Sequence, residues 1–295
     1  MGFMRSFIAF TLLVVAVVLG FGGMGAHWLD RLARTPAPMQ QIVGPLASDE
    51  EVLTELNATL TAEALAAVPA EIRDLPGVGE QISGVLGLAV DAAAADPGMQ
   101  RAFNESINRS RVSYVAALDN VRGDQSLEAP TIWFDLTPVA ELGQSKLRDV
   151  SDATLHPYLD LLQPGEIALP LGQPSASITG TIADGIGTAR HWPWMYVGAA
   201  LLTIGALFAG SRHGRWVALT LAGVFAAVGL WFGRSVIDTV GFPRGDTLAA
   251  TIRTQIVDGG KQHFLDFTHP AMYVAYGAIA LGILGLIIAA VTRRS

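Results

Sequence analysis

The chain has 295 residues, of which 51% are hydrophobic and 15% charged, and it contains no cysteine. The lack of cysteine excludes disulfides, thiolate catalysis and cysteine-ligated metal centres. The formal net charge of −7 argues against nucleic acid as a partner. A chain this hydrophobic is not an ordinary soluble domain, and we expect a membrane protein that also carries a folded polar domain.

The positions of the charges predict how the chain crosses the membrane. All 26 carboxylates lie in the stretch from Asp30 to Asp266. Three short stretches next to apolar runs carry only positive charge, on Arg5, on Arg212 and Arg215, and on Arg293 and Arg294. Short arginine-rich loops stay cytoplasmic. We therefore predict a multi-pass plasma-membrane protein with cytoplasmic N- and C-termini and a large extracytoplasmic domain.

The first apolar run extends from Phe7 to about Met24, close to the ~20 residues that cross a hydrocarbon core. Because it follows Arg5, it is either a retained anchor or a signal peptide. The small residues at 23–26 form a poor cleavage site, which favours a retained transmembrane anchor over residues 1–26. Both alternatives export the chain that follows.

Residues 27–192 are predicted to form the extracytoplasmic domain, mostly α-helical with a small amount of β-structure. Ser48 and Glu51 match a capping box, which predicts a helix over about 49–66. Turn residues at 69–77 interrupt the apolar pattern. The helical pattern resumes at Ile82, Val85, Leu86 and Val90, and another helix with a broad apolar face is expected from Asp96-Pro97-Gly98 to about Val121.

Aromatic and β-branched residues at 131–136 predict a strand, and residues 166–169 a weaker strand that pairs with it. Asp135 then either serves as a catalytic acid at the end of this strand or caps the helix that Thr137-Pro138 begins, and capping is the commoner arrangement. The Gly-, Ser- and Thr-rich residues 174–188 are interpreted as a linker or a short interfacial helix.

The second and third spans are predicted to form a transmembrane hairpin at 193–233. The aromatic cluster Trp192–Tyr196 marks the membrane boundary, and the second span runs from there to about Gly210. The third span runs from Trp216 to Gly233. Five residues join the two, so the helices must be antiparallel.

An extracytoplasmic helical segment, with a helix from Thr247 onward, is predicted over 234–270, and the fourth transmembrane helix with a short cytoplasmic tail over 271–295. None of the four spans contains Asp, Glu, Lys, Arg or His in its interior, which argues against a pump or an ion-coupled transporter. Arg234 and Asp238 are i, i+4 neighbours and predict a surface ion pair.

Small residues form stripes along the last two spans, at Ala218, Ala222, Ala226, Gly229 and Gly233 in the third and at Ala278, Gly282, Gly285 and Ala289 in the fourth. Small side chains let helix backbones approach closely. The stripes are interpreted as packing surfaces between the protein's own helices, with contact to a partner or a second copy as the alternative.

His263, Asp266 and His269 recur every three residues just before the fourth span. Two imidazoles and a carboxylate are suitable zinc ligands, although this spacing is not the i, i+4 pair of zinc-protease helices. The alternative is that histidines and aromatic residues favour the amphipathic membrane boundary. His156 and His191 have no visible partner in the sequence.

No established catalytic motif appears in the sequence, which contains neither a Gly-x-Ser-x-Gly elbow nor a phosphate-binding or dinucleotide-binding glycine loop. The layout resembles a group of uncharacterised actinobacterial integral membrane proteins with four spans and a helical exported domain. The matching features are the WFDLTPV element at 133–139, the hairpin around SRHGR at 211–215 and the amphipathic segment 247–267. The resemblance implies a cell-envelope setting and supplies no activity.

The preferred hypothesis is a non-enzymatic membrane protein whose exported domain binds a protein or a cell-envelope component, as a scaffold or accessory subunit. The alternative is a metal-dependent cell-envelope or lipid-modifying enzyme that uses His263, Asp266 and His269. A signalling receptor is a third possibility, but the predicted cytoplasmic side offers only a short turn and a short tail.

Overall fold

The computed structural model describes residues 2–66, 78–124, 128–151, 167–211, 213–239 and 247–292. Several predicted features lie outside the described residues: the turns at 69–77, His156, Glu166, Arg212, Arg293, Arg294 and the side chain of Asp238.

Within the described ranges the chain is mostly helical with a two-stranded sheet, as predicted. The helices are α1 (Gly2–Arg34), α2 (Pro36–Val43), α3 (Glu50–Ala66), α4 (Val78–Ala94), α5 (Met99–Gly123), α6 (Thr137–Val150), α7 (Ala176–Ala189), α8 (Trp192–Ala209), α9 (Gly214–Thr239) and α10 (Leu248–Val291). A 3₁₀ turn covers Gly44–Ser48, and the strands are β1 (Ile132–Asp135) and β2 (Ala168–Gly172).

Four of these helices, α1, α8, α9 and α10, are long and apolar enough to cross a membrane. They contain the four predicted spans, and the mostly helical chain is compatible with an α-helical membrane protein. α10 is one uninterrupted helix of 44 residues with Pro270 in its interior. It therefore joins the helix predicted from Thr247 onward and the fourth span without a break.

Helix α3 begins where predicted, but a different residue caps it. The Asp49 carboxylate accepts hydrogen bonds from the backbone N–H groups of Glu51 and Val52, both at 3.1 Å. The Ser48 hydroxyl instead donates to the Pro45 carbonyl at 3.0 Å, because residues 44–48 are held in the 3₁₀ turn. The capping box at Ser48 was therefore wrong by one residue, although the cap itself satisfies the same orphan N–H groups.

The two predicted strands pair antiparallel, with Trp133 opposite Pro170 and Asp135 opposite Ala168. β2 ends at Gly172, three residues later than predicted. A bulge between Ile132 and Trp133 shifts the pairing, so that Ile132 lies opposite Gly172. Gly172 has a φ of 131°, a conformation that favours glycine.

Asp135 caps the following helix. Its carboxylate accepts a hydrogen bond from the Thr137 backbone N–H at 2.9 Å, and its own N–H donates to the Ser110 hydroxyl at 2.8 Å. This hydrogen bond is the turn and capping contact that the sequence favoured at Asp135. Residues 176–189 form a helix, which decides between the linker and the helix predicted there.

The chain divides into two compact units. The span unit comprises Met1–Arg31, Asp184–Gly241 and Lys261–Ser295, and the core unit comprises Leu32–Ala183 and Phe242–Gly260. The first part of α10 thus belongs to the core unit, where the Gln255 amide donates to the Ile42 carbonyl at 3.0 Å.

The core unit is built around large buried side chains from α2, α3, α5, both strands and the first part of α10. Among the most deeply buried are Val43, Leu56, Phe103, Leu136 and Ile252. At ~1.5–3 kcal/mol for each large apolar side chain removed from water, this cluster is the main source of the unit's stability.

The span unit packs on small residues. A side chain at Gly282 would meet the backbone N of Thr220 at 2.9 Å and the Trp216 carbonyl at 3.0 Å, so α9 and α10 touch at backbone distance. Gly285 lies against the Trp216 ring in the same way. At Gly282 and Gly285 the fourth-span stripe therefore packs against α9 of the same protein, since a larger residue would clash there.

Candidate functional site

The three residues proposed as zinc ligands follow one another along α10, and both histidines have other contacts. The Trp28 indole N–H donates to His263 Nδ1 at 3.0 Å, and the His269 ring stacks on Tyr273 with 5.6 Å between centroids. Asp266 and His269 are exposed. A neutral His263 ring that accepts at Nδ1 carries its proton on Nε2, so neither nitrogen offers a free lone pair to a metal.

No group of three His, Cys, Asp or Glu side chains within the described ranges is arranged to hold a metal ion. Zinc at His263, Asp266 and His269 remains a prediction, and binding there would require the Trp28 hydrogen bond to break or Nε2 to lose its proton. Metal analysis of the purified protein, with and without His263→Ala and His269→Ala, tests it.

Aromatic residues from α1, α8 and α10 form a cluster around His27. The His27 ring stacks on Trp192 at 3.8 Å between centroids with a 12° interplanar angle. Tyr196 and Phe267 contact His27 by their edges, at 6.2 and 5.1 Å. Aromatic rings and histidines with one apolar and one polar side are typical of the membrane boundary. We call this set, with Trp28 and Phe264, the boundary cluster.

The sequence pointed to two parts of the boundary cluster, the aromatic run at 192–196 and the histidine segment at 263–269, but not to their contact through His27 and Trp28. No local signal identifies such a contact, because the partners are more than 160 residues apart in the chain. Close by, the Arg234 guanidinium donates to the Leu265 carbonyl at 3.0 Å and so ties α9 to α10. The predicted partner of Arg234 was Asp238, whose side chain is not described.

The core unit carries an open groove of about 400 Å³ between α2 and α5. Four side-chain amides line it, and it also includes Ala37, Gly44 and Pro45. We call it the amide groove; its amides belong to Gln40, Gln41, Gln100 and Asn104. Amides supply both hydrogen-bond donors and acceptors without a charge.

Two of these amides are held in fixed orientations. The Gln100 amide nitrogen donates to the Gly44 carbonyl and to Asn104 Oδ1, both at 3.2 Å. The Gln100 oxygen therefore remains as an acceptor, and the Asn104 NH₂ group remains as a donor. A Cβ at position 44 would lie 3.3 Å from Asn104 Oδ1, so glycine allows the two amides to come this close.

None of the groove residues was singled out from the sequence. Gln100 and Asn104 have the i, i+4 spacing that places them on one face of α5. Nothing local predicts that this face meets residues 37–45. Gly44, whose carbonyl accepts the Gln100 hydrogen bond, lies 56 positions before Gln100 in the chain.

The ion pair between Lys146 and Asp96 joins α6 to the turn before α5. The Lys146 ammonium lies 2.5 Å from the Asp96 carboxylate, which also accepts the Gly98 N–H at 2.6 Å. The hydrogen bond from Lys146 has the largest effect on Asp96 and lowers its pKa, and the bond from Gly98 lowers it further. The hydrogen bond to Asp96 raises the pKa of Lys146. This pair holds the turn at 96–98 and takes no part in the amide groove.

No family model matches this chain, and no significant match was found among curated proteins or solved structures.

Proposed function

We propose that this protein is a non-enzymatic, multi-pass plasma-membrane protein whose core unit faces the extracytoplasmic side and binds a protein or a cell-envelope component through the amide groove. In this role it is a scaffold or an accessory subunit. The resemblance to actinobacterial envelope proteins belongs to the same proposal.

The observation that carries the proposal is the fixed pair Gln100 and Asn104 in an open groove. Peptide links and sugar hydroxyls, the main polar groups of envelope polymers and of extended protein segments, both donate and accept hydrogen bonds. An uncharged surface with one oriented acceptor and one oriented donor suits such a ligand. Gln40 and Gln41 on α2 extend this surface along the groove.

Contacts inside the span unit support the proposed topology. The Ser6 hydroxyl lies 3.0 Å from that of Ser211, and Gly285 near the end of α10 lies against Trp216 at the start of α9. The start of α1, the α8–α9 turn and the last part of α10 therefore lie at one end of the unit. All three carry the positively charged stretches, which favour the cytoplasm.

Photocrosslinking tests the binding proposal in native membranes. A photoreactive amino acid at Gln41 in the groove is compared with one at Val112, which is 51% exposed on α5 and does not line the groove. We expect a discrete product from position 41 only, reduced by Asn104→Ala. Digestion with protease or with glycan hydrolases tells a protein from an envelope polymer. Identical products from both positions, no product, or a product that Asn104→Ala leaves unchanged would refute the proposal.

The topology has its own test, because the chain has no cysteine of its own. Ser177→Cys lies at an exposed position of the core unit and Thr292→Cys at an exposed position after α10. We expect a membrane-impermeant maleimide to label position 177 in intact cells and position 292 only after permeabilisation. The reverse pattern would overturn the orientation without bearing on the groove.

A further inference from the structure

The span unit contains an apolar cavity of about 470 Å³, lined by residues of α1, α8, α9 and α10. Ligand pockets occupy roughly 300–1,000 Å³, so this volume is that of a binding site. The hydroxyls among its lining residues belong to Tyr196 and Thr203, and Thr203 already donates to the Ala199 carbonyl at 2.8 Å. The depth of the cavity therefore suits an apolar occupant and not a polar one.

Alanines on α9 and α10 leave space between the larger apolar side chains that also line the cavity. Ala222 and Ala226 line it from α9, and Ala271 and Ala275 from α10. The largest residues at this end of α9, Trp231 and Phe232, are exposed and do not line the cavity. A space of this kind does not suit water, because water in it would find few hydrogen-bond partners.

The cavity is elongated and ends at the boundary cluster. Its lining on α1 runs from Leu13 to Met24, about 16 Å at ~1.5 Å per residue, or roughly half of a ~30 Å hydrocarbon core. Tyr196 and Phe267 line the cavity and also contact His27 in the boundary cluster. One end of the cavity is therefore amphipathic, and the rest is apolar.

We propose that this cavity binds one acyl chain of a membrane phospholipid, with the headgroup beside the boundary cluster. The four helices that line it are the four that are long and apolar enough to lie in a bilayer, where acyl chains are the surrounding solvent. Filling the cavity restores the dispersion contacts that its walls lack. A helix of a second copy, ~10 Å across, is too wide for this space.

Two glycines provide a matched pair of variants for the test. A Cβ built at Gly20 or at Gly205 meets no atom within 4 Å, so each position has open space where a side chain would begin. Gly20 lines the cavity and Gly205 does not. Gly20→Leu is expected to fill the cavity, whereas Gly205→Leu adds the same side chain elsewhere in the span unit. Ala226→Leu is a second cavity-filling variant on α9.

The full chain is reconstituted in nanodiscs of phosphatidylcholine that carries a nitroxide near the end of one acyl chain, and immobilised lipid is measured by electron paramagnetic resonance. We expect a strongly immobilised lipid in the wild type and in Gly205→Leu, and about tenfold weaker binding in Gly20→Leu and Ala226→Leu. Equal immobilisation in all four proteins would overturn the proposal. So would mass analysis of the purified protein that finds a free fatty acid, an isoprenoid or no lipid in place of a phospholipid.

Discussion

The two units of this chain bury opposite kinds of side chain. In the core unit, Phe103 and Leu56 are only 1% and 2% exposed. In the span unit the buried residues are mostly alanines, such as Ala206 and Ala218. Large side chains there are exposed instead, and Phe208 is 84% exposed. The other large exposed residues of this unit include Leu201, Trp231, Phe232 and Val274.

The difference is the one expected between a unit that folds in water and a unit that folds in lipid. In water, burial of large apolar groups drives folding. In lipid the tails are as apolar as leucine, so large side chains gain nothing by pointing inward and helices associate through close backbone contacts. The core unit should therefore be sensitive to loss of volume, and the span unit to gain of volume at its glycines.

The largest expected effect is at the centre of the core unit. Phe103→Ala should lower the free energy of unfolding by about 3–5 kcal/mol, because it removes a buried ring and leaves a cavity. Val112→Ala on the same helix should change it by less than ~0.5 kcal/mol, since Val112 is exposed. Urea unfolding of the full chain in detergent, followed by pulse proteolysis, measures both. Equal losses would mean that the core is not where the structure places it.

In the span unit, added volume should be harmful where the helices touch. Gly282→Ala forces a methyl group against the Thr220 and Trp216 backbone and should cost about 1–3 kcal/mol. Gly277→Ala on the same helix meets no atom within 4 Å and should be neutral or stabilising by up to ~1 kcal/mol. Thermal unfolding in detergent compares the two variants. A stabilising Gly282→Ala would show that α9 and α10 are not in contact.

The boundary cluster should contribute less. Trp28→Phe removes the N–H that donates to His263 and should cost about 0.5–1.5 kcal/mol. Trp194→Phe, at a position that is 73% exposed, is the control and should have little effect. A double-mutant cycle with His263→Ala isolates the hydrogen bond. Additive effects of the two changes would show that the bond does not form.

The smallest effect is the pH dependence of the Asp96–Lys146 pair. Because the folded-state pKa of Asp96 is lowered, the pair stabilises the core unit fully above the unfolded value of ~3.9 and loses that contribution as pH falls through the folded value. Lys146 has a raised pKa, so its contribution is lost only when pH rises above ~10.4 through the folded value. Asp96→Asn should flatten the acid limb of the stability curve, measured by urea unfolding.

Lys146→Met should flatten the same limb, and the double variant should add little to either change. If stability falls as steeply at acid pH in both variants as in the wild type, other carboxylates cause that loss of stability.

Much of the fold followed from local patterns. The helix after Asp49, the strand at 132–135 and the hairpin of α8 and α9 were predicted close to their observed bounds, because each depends on nearby residues. The cap at Asp49 in place of Ser48 was missed because the 3₁₀ turn at 44–48 satisfies Ser48 first. The continuity of α10 through Pro270 was missed because proline usually ends a helix.

The candidate sites followed much less from the sequence. Histidine spacing drew attention to His263, yet its observed partner, Trp28, is 235 residues away. The amide groove and the apolar cavity involve no rare residue type and no motif. They arise where separate helices meet, and which faces meet is not encoded within any one segment.

The sequence by itself determined the helical class, the four apolar helices and the placement of charge around them, because length, hydropathy and charge are properties of single segments. The tertiary structure decided the pairing of Trp28 with His263, the orientation of Gln100 and Asn104, and the space beside Ala222 and Ala226. These depend on how closely helices approach, and that distance is set by the side chains of both partners together.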